Sequence, residues 1–357
     1  MQSKFKNRDT YLVIGVMSGT SLDGLDLAAV EFQLTDGKWH FDLLYSDMIS
    51  YSDQWHQQLK QAPELSGEEL THLHFSYGKY IGEQLLNFMR NKNFAPDLIA
   101  SHGHTVFHQP EKGFTLQIGS GEVIARLTGV KTVADFRTGD MILGGQGAPL
   151  VPIGDRLLFP DYDYCLNLGG FANISFEDYG KRRAYDVCPV NIVLNNLAEK
   201  FGKPFDKNGE FGRMGVVNRE LLQALNSLDY YSKQGPKSLG REWVEQNIFS
   251  LLDGFATTET DKLRTFYEHI SCQIGASVSG TGKMLATGGG AFNSFLIERI
   301  KAYSSAEIVV PLRRIIEFKE ALIFAFLGLL RELGQDNCLA SVTGASHDSS
   351  SGVVFFP

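Results

Sequence analysis

The residues with the clearest chemical potential form a glycine-rich stretch between two apolar runs. It reads Gly19, Thr20, Ser21, Leu22, Asp23, Gly24, Leu25 and Asp26. The two glycines have P-loop spacing, but Leu25 and Asp26 replace the required Lys and Ser or Thr, and a strand replaces the helix that should follow. Glycines let a main chain approach phosphate closely, and hydroxyls add donors. The stretch therefore predicts a lysine-free hairpin that binds nucleotide phosphates; an ordinary turn rich in Gly and Asp is the alternative.

Carboxylates in this stretch suit a divalent cation. Mg²⁺ keeps several waters and takes one or two carboxylates, so Asp23 or Asp26 is the predicted ligand, directly or through water. Further along, His102 and His104 form an H-x-H pair, and alternation along a strand would place both rings on one face. Because no third ligand stands out, we interpret the pair as part of a polar rim for a small ligand rather than a metal site. Arg137 suits a carboxylate, which it can bind with two hydrogen bonds.

Two more glycine turns follow in the second half of the chain. One contains Gly169 and Gly170 between two apolar runs, and the other is Gly288, Gly289 and Gly290 between a strand and a helix. Either turn alone is a weak signal, because Gly-Gly turns are common. Facing the first hairpin, Gly169 and Gly170 could clamp a triphosphate from the other side. The three consecutive glycines could hold a base or a phosphate at the helix N-terminus.

Asp186 is the predicted general base. It ends a predicted strand and is followed by Pro189 and Asn191. A carboxylate at the mouth of a cleft can accept a proton from a nucleophile. A strand-end residue or an N-cap for the helix at Asn191 is the alternative.

The elements that must position these residues occur in two similar series. From Tyr11 and again from Asp163, the pattern predicts strand, glycine-rich turn, strand, charged turn and strand, followed by strands alternating with helices. This indicates an α/β protein of two similar domains. The first is predicted at residues 1–137, possibly joined by the last residues of the chain, and the second at 138–357. Ligands of such proteins tend to occupy the cleft between domains.

Composition narrows the class of protein. The 357-residue chain has a formal net charge of −8, which argues against a nucleic-acid partner. Its four cysteines are scattered, which predicts reduced thiols in a cytoplasmic protein. The N-terminus lacks the apolar core of a signal peptide, and no apolar run is long enough for a membrane span.

The chain resembles the bacterial anhydro-N-acetylmuramic acid kinases over nearly its whole length. The motifs in order are GVMSGTSLDGLD, SHGHT, TLQIG, TVADFR, GGQGAPLVP, LNLGGFANIS, PKSLGRE, TGGGAFN and VTGAS. The resemblance implies two RNase H-like domains of the actin-like ATPase fold with a nucleotide cleft between them. It also implies that ATP and Mg²⁺ convert 1,6-anhydro-N-acetylmuramic acid, recovered from the cell wall, into N-acetylmuramic acid 6-phosphate.

Two motifs depart from the family pattern. The family's catalytic aspartate stands in D-T-G-P-G-N, whose counterpart here runs from Asp186 to Asn191 as DVCPVN. Cys188 and Val190 can replace the glycines only if φ is not positive there. The second departure is His104, where the family more often has Gln. Within this resemblance Asn191, His102, His104 and Arg137 are sugar-contact candidates.

Glu320 is a further candidate for contact with a sugar hydroxyl. It lies near the start of an apolar C-terminal helix, and a first-turn Glu that complements the helix dipole is the alternative. Two other functions remain open: a kinase of another amino sugar, and an actin-like or Hsp70-like ATPase without a sugar acceptor. We expect a small-molecule sugar substrate, no membrane or nucleic-acid partner, and a homodimer.

Overall fold

The computed structural model describes residues 8–19, 22–233, 235 and 237–357. Packing separates them into two units. The first contains the described residues up to Phe159 together with Phe318–Pro357, and the second is Pro160–Glu317. This division differs from the predicted one, which began the second domain at residue 138. The residues from Phe318 onward belong to the first unit, and they include most of a long C-terminal helix.

The first unit opens with an antiparallel meander of β1 (Thr10–Ser18), β2 (Gly24–Thr35) and β3 (Lys38–Ser50). There follow α1 (Asp53–Gln61), α2 (Gly67–Lys92), β4 (Leu98–Gln109), β5 (Phe114–Ile118), α3 (Gly121–Thr128), β6 (Thr132–Ala134), α4 (Thr138–Ile142) and α5 (Val151–Leu158). The strand β4 pairs parallel with β1 and β6, and antiparallel with β5.

The second unit repeats this plan. Its elements are β7 (Tyr164–Leu168), β8 (Phe171–Asp178), β9 (Lys181–Pro189), α6 (Asn191–Glu199), α7 (Arg219–Asn226), α8 (Asp229–Ser232), α9 (Arg241–Trp243), α10 (Ser250–Gly254), α11 (Glu259–Ala276), β10 (Lys283–Thr287), α12 (Ser294–Tyr303) and β11 (Glu307–Val309). A π-helical segment, Val244–Phe249, joins α9 to α10.

The chain then returns to the first unit through α13 (Arg313–Leu333), α14 (Ala340–Thr343) and β12 (Val353–Phe355). The first sheet has the order β12-β6-β4-β1-β2-β3, with β5 beside β4, and the second has β11-β10-β7-β8-β9. In both, an antiparallel meander continues from its first strand into parallel strands. This repeated order confirms the predicted α/β class and its duplicated RNase H-like plan.

Helices cover both faces of the first sheet. A Cβ on Gly15 would overlap the Ala321 carbonyl of α13, so glycine permits this close contact. The neighbours Ile14 and Val16 instead join the core cluster that contains Tyr77 of α2. Because successive strand residues point to opposite faces, α13 and α2 lie on opposite sides of β1. Among the described residues, no helix combines the length and apolarity that a bilayer crossing needs.

Candidate active site

The first glycine-rich turn is shorter than the predicted stretch. Ser18 ends β1 and pairs with Leu25, while Met17 pairs with Asp26, so Gly24 already belongs to β2. Leu25 is fully buried in the hydrophobic core, and its side chain therefore supports the hairpin instead of facing a ligand. A Cβ on Gly24 would lie 2.6 Å from the Ile49 carbonyl oxygen, so packing alone explains this glycine.

The turn itself has an unusual main chain. The N–H of Leu22 donates to the carbonyl of Gly19 at 3.3 Å, and Leu22 has φ of +60°, which is uncommon for a branched side chain. Thr20 and Ser21 lie outside the described residues. Asp23 is exposed and Asp26 is half-buried. Among the described residues no cluster of three or more His, Cys, Asp or Glu could hold a metal.

Arg137 is fixed by two neighbours. Its Nε and one terminal nitrogen lie 3.0 and 2.8 Å from His102 Nε2, and the other terminal nitrogen donates to the Gly147 carbonyl at 2.7 Å. Because His102 Nε2 accepts these bonds, the ring proton is on Nδ1, which donates to the Gly103 carbonyl at 2.9 Å. Burial and Arg137 hold the pKa of His102 well below its ordinary value. His102 thus orients Arg137 and has no nitrogen left for a ligand.

His102 and His104 do not share a face of the sheet, so that prediction is wrong. His102 packs on Phe324 of α13 with 4.6 Å between ring centroids, whereas His104 lies 6.3 Å from Tyr77 of α2. The physical cause is Gly103, which has φ of +72° at a point where the pairing of β1 with β4 shifts register. This break in regular strand geometry interrupts the alternation of side chains.

His104 is buried and neutral. It is 4% exposed, and burial lowers its pKa to about 4. Its Nδ1 lies 3.0 Å from Ser18 Oγ, directly before the glycine turn, and Ser18 Oγ also lies 2.8 Å from the Tyr51 hydroxyl. His104, a predicted sugar contact, is therefore hydrogen-bonded to the last residue of β1.

Glu320 belongs to the middle of α13, which begins at Arg313, so the first-turn alternative is wrong. Glu320 has exposed surface, yet burial by the surrounding protein raises the pKa of its carboxyl group. The positive charges of Arg137 and Lys319 oppose part of this shift. Lys319 is itself buried and forms an ion pair of 2.7 Å with Asp155. Glu320 is thus a carboxyl group close enough to be influenced by the Arg137 cation, whose pKa burial lowers to about 10.

In the second unit, the two predicted glycine turns adjoin the end of β7. Gly288 has φ of +80°, and a Cβ there would meet Asn167 Oδ1 at 2.6 Å; a Cβ on Gly290 would meet Leu168 at 2.8 Å. Packing therefore requires both of these glycines. In contrast, a Cβ on Gly170 would meet no atom within 4 Å, and one on Gly289 only Asn191 Nδ2, at 3.8 Å. Gly170 and Gly289 consequently leave open main-chain surface that a phosphate can approach.

Asn191 links these turns to the aspartate motif. Its side-chain Nδ2 donates to the Leu168 carbonyl at 3.1 Å, and its main-chain N–H donates to Gly169 at 3.2 Å. The N–H of Val190 donates to Gly170 at 2.8 Å. Gly169 and Gly170 are thus held by the residues that follow Asp186.

Asp186 is half-buried in β9 and is held from three directions. The N–H of Leu239 donates to Oδ2 at 2.9 Å, the Tyr230 hydroxyl donates to the Asp186 carbonyl at 2.6 Å, and the Asp186 N–H donates to the Lys237 carbonyl at 3.0 Å. Burial raises the pKa of Asp186, and the Leu239 N–H partly opposes that shift. Its Oδ1 has no hydrogen-bond partner within the described part of the chain. A half-buried carboxylate with one oxygen oriented and the other available is suited to accept a proton.

The altered motif after Asp186 is compatible with its main chain. Val190 has φ of −129°, and Cys188 is not among the residues with positive φ. Both side chains are fully buried in the core of the second unit. Cys188 and Val190 therefore add buried side chains to this core, and neither has a positive φ. No disulfide joins the four cysteines, all of which belong to the described residues, and Cys165, Cys188 and Cys338 are buried.

Several residues that hold the predicted site have no role that the sequence motifs indicate. Tyr230, Lys237 and Leu239 anchor Asp186, and Ser18 and Tyr51 anchor His104. For Lys237 and Leu239 the motif PKSLGRE contained a signal, because a segment punctuated by Pro and Gly is a common place for functional contacts.

Comparison with known proteins gives a consistent result. The profile of the family described as anhydro-N-acetylmuramic acid kinase matches residues 11–357. A protein of that name from Vibrio cholerae is 35% identical, with 97% of this chain and 98% of the relative covered. Another from Pseudomonas fluorescens is 33% identical, with coverage of 96% and 99%.

Solved structures resemble the chain more distantly. Component A of (R)-2-hydroxyglutaryl-CoA dehydratase from Acidaminococcus fermentans aligns with a TM-score of 0.43 and 14% identity, covering 90% of this chain and 99% of that one. A ROK family glucokinase from Streptomyces griseus aligns with a TM-score of 0.40 and 10% identity, with coverage of 89% and 99%. The description of the fold therefore rests on the strand order of the chain itself.

Proposed function

The chain belongs to the anhydro-N-acetylmuramic acid kinase family, and from this premise we propose that it phosphorylates 1,6-anhydro-N-acetylmuramic acid with ATP while water opens the anhydro bond. The product is N-acetylmuramic acid 6-phosphate, and the reaction serves the recycling of cell-wall peptidoglycan. The observation that carries the proposal is the carboxylate of Asp186, with Oδ2 bound by Leu239 and Oδ1 available.

The substrate's chemistry explains why a base is needed. In a 1,6-anhydro sugar, O6 is bonded to C1 and has no proton to lose. A water oxygen forms a bond to C1, the C1–O6 bond breaks, and O6 bonds to the γ-phosphorus as ADP leaves. Asp186 accepts the proton of that water, a contribution of about 10² to 10⁴ in rate. No acid is needed at O6, because the phosphoryl group takes its place.

The glycine turns are the proposed nucleotide-binding elements. In the first unit these are Gly19 and the residues up to Asp23, and in the second unit Gly170 and Gly289, whose main chains have open surface. ATP supplies the phosphoryl group. Mg²⁺, held by Asp23 or Asp26 directly or through water, would neutralise phosphate charge.

The proposed sugar contacts use fixed charges and donors. Arg137, oriented by His102 and Gly147, suits the lactyl carboxylate of muramic acid. Glu320 suits a hydroxyl, as does Asn191 Oδ1, since the Nδ2 of Asn191 already binds Leu168. The predicted location in the cytoplasm and the predicted homodimer belong to this proposal, and light scattering after gel filtration tests the dimer.

The function is tested by the identity of the product. Purified protein is incubated with ATP and Mg²⁺ in parallel reactions that differ only in the sugar. One contains no sugar, one contains 1,6-anhydro-N-acetylmuramic acid, and others contain N-acetylmuramic acid or N-acetylglucosamine. We expect ADP formation to depend on the anhydro sugar, and a product mass equal to that sugar plus water plus the phosphoryl group. A preference for an open amino sugar would support the alternative that the protein is a kinase of another amino sugar. Hydrolysis of ATP without any sugar would support the alternative of an actin-like or Hsp70-like ATPase.

A further inference from the structure

The main chain between α8 and α9 forms two hydrogen bonds with Asp186. The Asp186 N–H donates to the Lys237 carbonyl at 3.0 Å, and the Leu239 N–H donates to Asp186 Oδ2 at 2.9 Å. Residues 237–240 belong to no helix or strand, so no ladder of main-chain bonds fixes them. The direction of the Asp186 carboxylate therefore depends on the contacts that hold this segment in place.

The side chain of Lys237 provides such contacts. Its Nζ donates to the carbonyl of Lys233 at 2.9 Å and to that of Tyr230 at 3.2 Å, at the C-terminal end of α8. The same ammonium lies 4.5 Å from the centroid of the Tyr230 ring and 5.7 Å from that of Tyr185. Burial lowers the pKa of Lys237, and the two carbonyls with the two ring faces replace the water that its ammonium has lost.

These contacts form a closed ring that includes Asp186. Tyr230, whose carbonyl accepts from Lys237, donates its hydroxyl proton to the Asp186 carbonyl at 2.6 Å. The ring thus runs from the main chain of Asp186 to that of Lys237, along the lysine side chain to Tyr230, and through the tyrosine side chain back to Asp186. Tyr230 is 5% exposed and anchors the ring in the second unit. Without the lysine side chain the ring is open, and the segment that contains Leu239 has lost its attachment to α8.

We propose that the Lys237 side chain is a brace, which fixes the 237–240 segment to α8 and so keeps the Leu239 N–H on Asp186 Oδ2. Lys237 is then a positioning residue, because its effect reaches the reaction through Leu239 and Asp186. The importance of this brace for catalysis rests on the proposed function, in which Asp186 is the base. The brace itself does not rest on that function.

Titration of the Asp186 carboxyl reports whether the brace is intact. The Leu239 N–H stabilises the ionised carboxylate and lowers the pKa of Asp186 against the effect of burial, so its loss should raise that pKa further. Tyr230 of α8 and Cys188 of β9 face Asp186, and burial together with the Asp186 charge raises the pKa of both. Both groups are therefore uncharged while Asp186 titrates. The Lys237 ammonium is the facing cation, and its charge needs a separate control.

The brace is measured without any ligand in full-length protein labelled with ¹³C at the Asp carboxyls and ¹⁵N at the Leu amides. The signals are assigned by their loss in Asp186→Asn and Leu239→Met. In Lys237→Met we expect the Leu239 amide to exchange with solvent about tenfold faster or more, and Asp186 to titrate at a higher pH than in wild type. Lys237→Arg keeps a cation and several donors and should restore both quantities toward wild type.

Two further variants keep this test decisive. Lys233→Met is the matched control, because it removes an exposed positive charge close to Lys237 but keeps the carbonyl that accepts from it, and it should change neither quantity. If Lys237→Met does not fold, Lys237→Gln replaces it with the same expected changes. Unchanged exchange at Leu239 would overturn the proposal. A raised Asp186 titration without faster exchange would also overturn it, since the lysine would then act through its charge alone.

The consequence for catalysis is measured separately with ATP and 1,6-anhydro-N-acetylmuramic acid. In Lys237→Met, kcat should fall about tenfold while the KM for ATP stays within about twofold, and the acidic limb of kcat/KM should move to higher pH. Lys237→Arg should recover most of kcat. Faster exchange at Leu239 with unchanged kcat and an unchanged acidic limb would refute the positioning role and leave the brace as a structural contact. If no sugar serves as acceptor in the wild-type protein, the proposed function fails, and the exchange of Leu239 still decides the brace.

Discussion

The main-chain N–H of Leu239 donates to Asp186 Oδ2 at 2.9 Å, and this bond orients the carboxylate that the account requires as its base. Contacts from Tyr230 and Lys237 hold the main chain of the same residue. Asp186 is therefore fixed in direction, while its Oδ1 is available to a water.

Replacing Asp186 with Asn should remove the base and keep the fold. The amide oxygen can still accept from Leu239, so we expect turnover below a tenth of wild type and nearly unchanged ATP affinity by calorimetry. Because burial raises the pKa of Asp186 in the folded protein, ionisation there costs stability once the pH exceeds the unfolded pKa. The variant should thus melt at a higher temperature than wild type at pH 7, with a smaller difference at low pH. Turnover above a tenth would show that Asp186 is not the base.

The pH profile should report the same carboxylate. The base must be ionised, so kcat/KM should fall as the pH falls through the raised pKa of Asp186, and the acidic limb should lie above the ordinary range of an Asp side chain. Glu320 also has a raised pKa and could produce such a limb. Glu320→Gln is therefore the control, and the limb should persist in it. A limb within or below the ordinary Asp range would contradict the assignment.

Gly170→Ala separates phosphate binding from folding. A Cβ there meets no atom within 4 Å, and Gly170 is not among the residues with positive φ, so the free energy of unfolding should change by less than about 0.5 kcal/mol. The added methyl would occupy the space through which a phosphate approaches, and the KM for ATP should rise at least tenfold. Gly254→Ala, which also meets no atom, is the matched control and should change neither quantity. An unchanged KM for ATP in Gly170→Ala would remove this turn from the nucleotide site.

Restoring the family's glycines after Asp186 should cost stability without improving catalysis. Cys188 and Val190 are fully buried, and their φ angles do not require glycine. Loss of packing and added backbone freedom should lower the free energy of unfolding by about 1–3 kcal/mol for each of Cys188→Gly and Val190→Gly, measured in urea. A large gain in kcat in either variant would show instead that this chain departs from the family in its chemistry.

Local patterns in the sequence were sufficient for the duplicated plan. The two apolar runs predicted on either side of the first glycine-rich stretch correspond to β1 and β2, and the second glycine turn lies between β7 and β8 as predicted. These elements are determined by residues close together in the sequence, namely apolar runs that form strands and the turn residues between them. Their pairing order follows from the same short connections.

Features that depend on distant packing could not be predicted. The division between the units follows from α13 lying against β1, where Gly15 meets Ala321, and no local signal encodes that contact. The separation of His102 from His104 depends on a single φ at Gly103. Leu25 stands in sequence among the Gly and Asp residues of the predicted binding loop. Its pairing with Ser18 nevertheless places it in β2, where its side chain is fully buried in the core.

The most direct test uses ¹⁸O-labelled water. The protein turns over ATP and 1,6-anhydro-N-acetylmuramic acid in that water, and mass spectrometry with fragmentation locates the label; unlabelled product kept in the same water corrects for exchange at C1. The account predicts one ¹⁸O on C1 and none in the phosphoryl group. A phosphorylated product that keeps the anhydro ring, or an open product without label on C1, would contradict it.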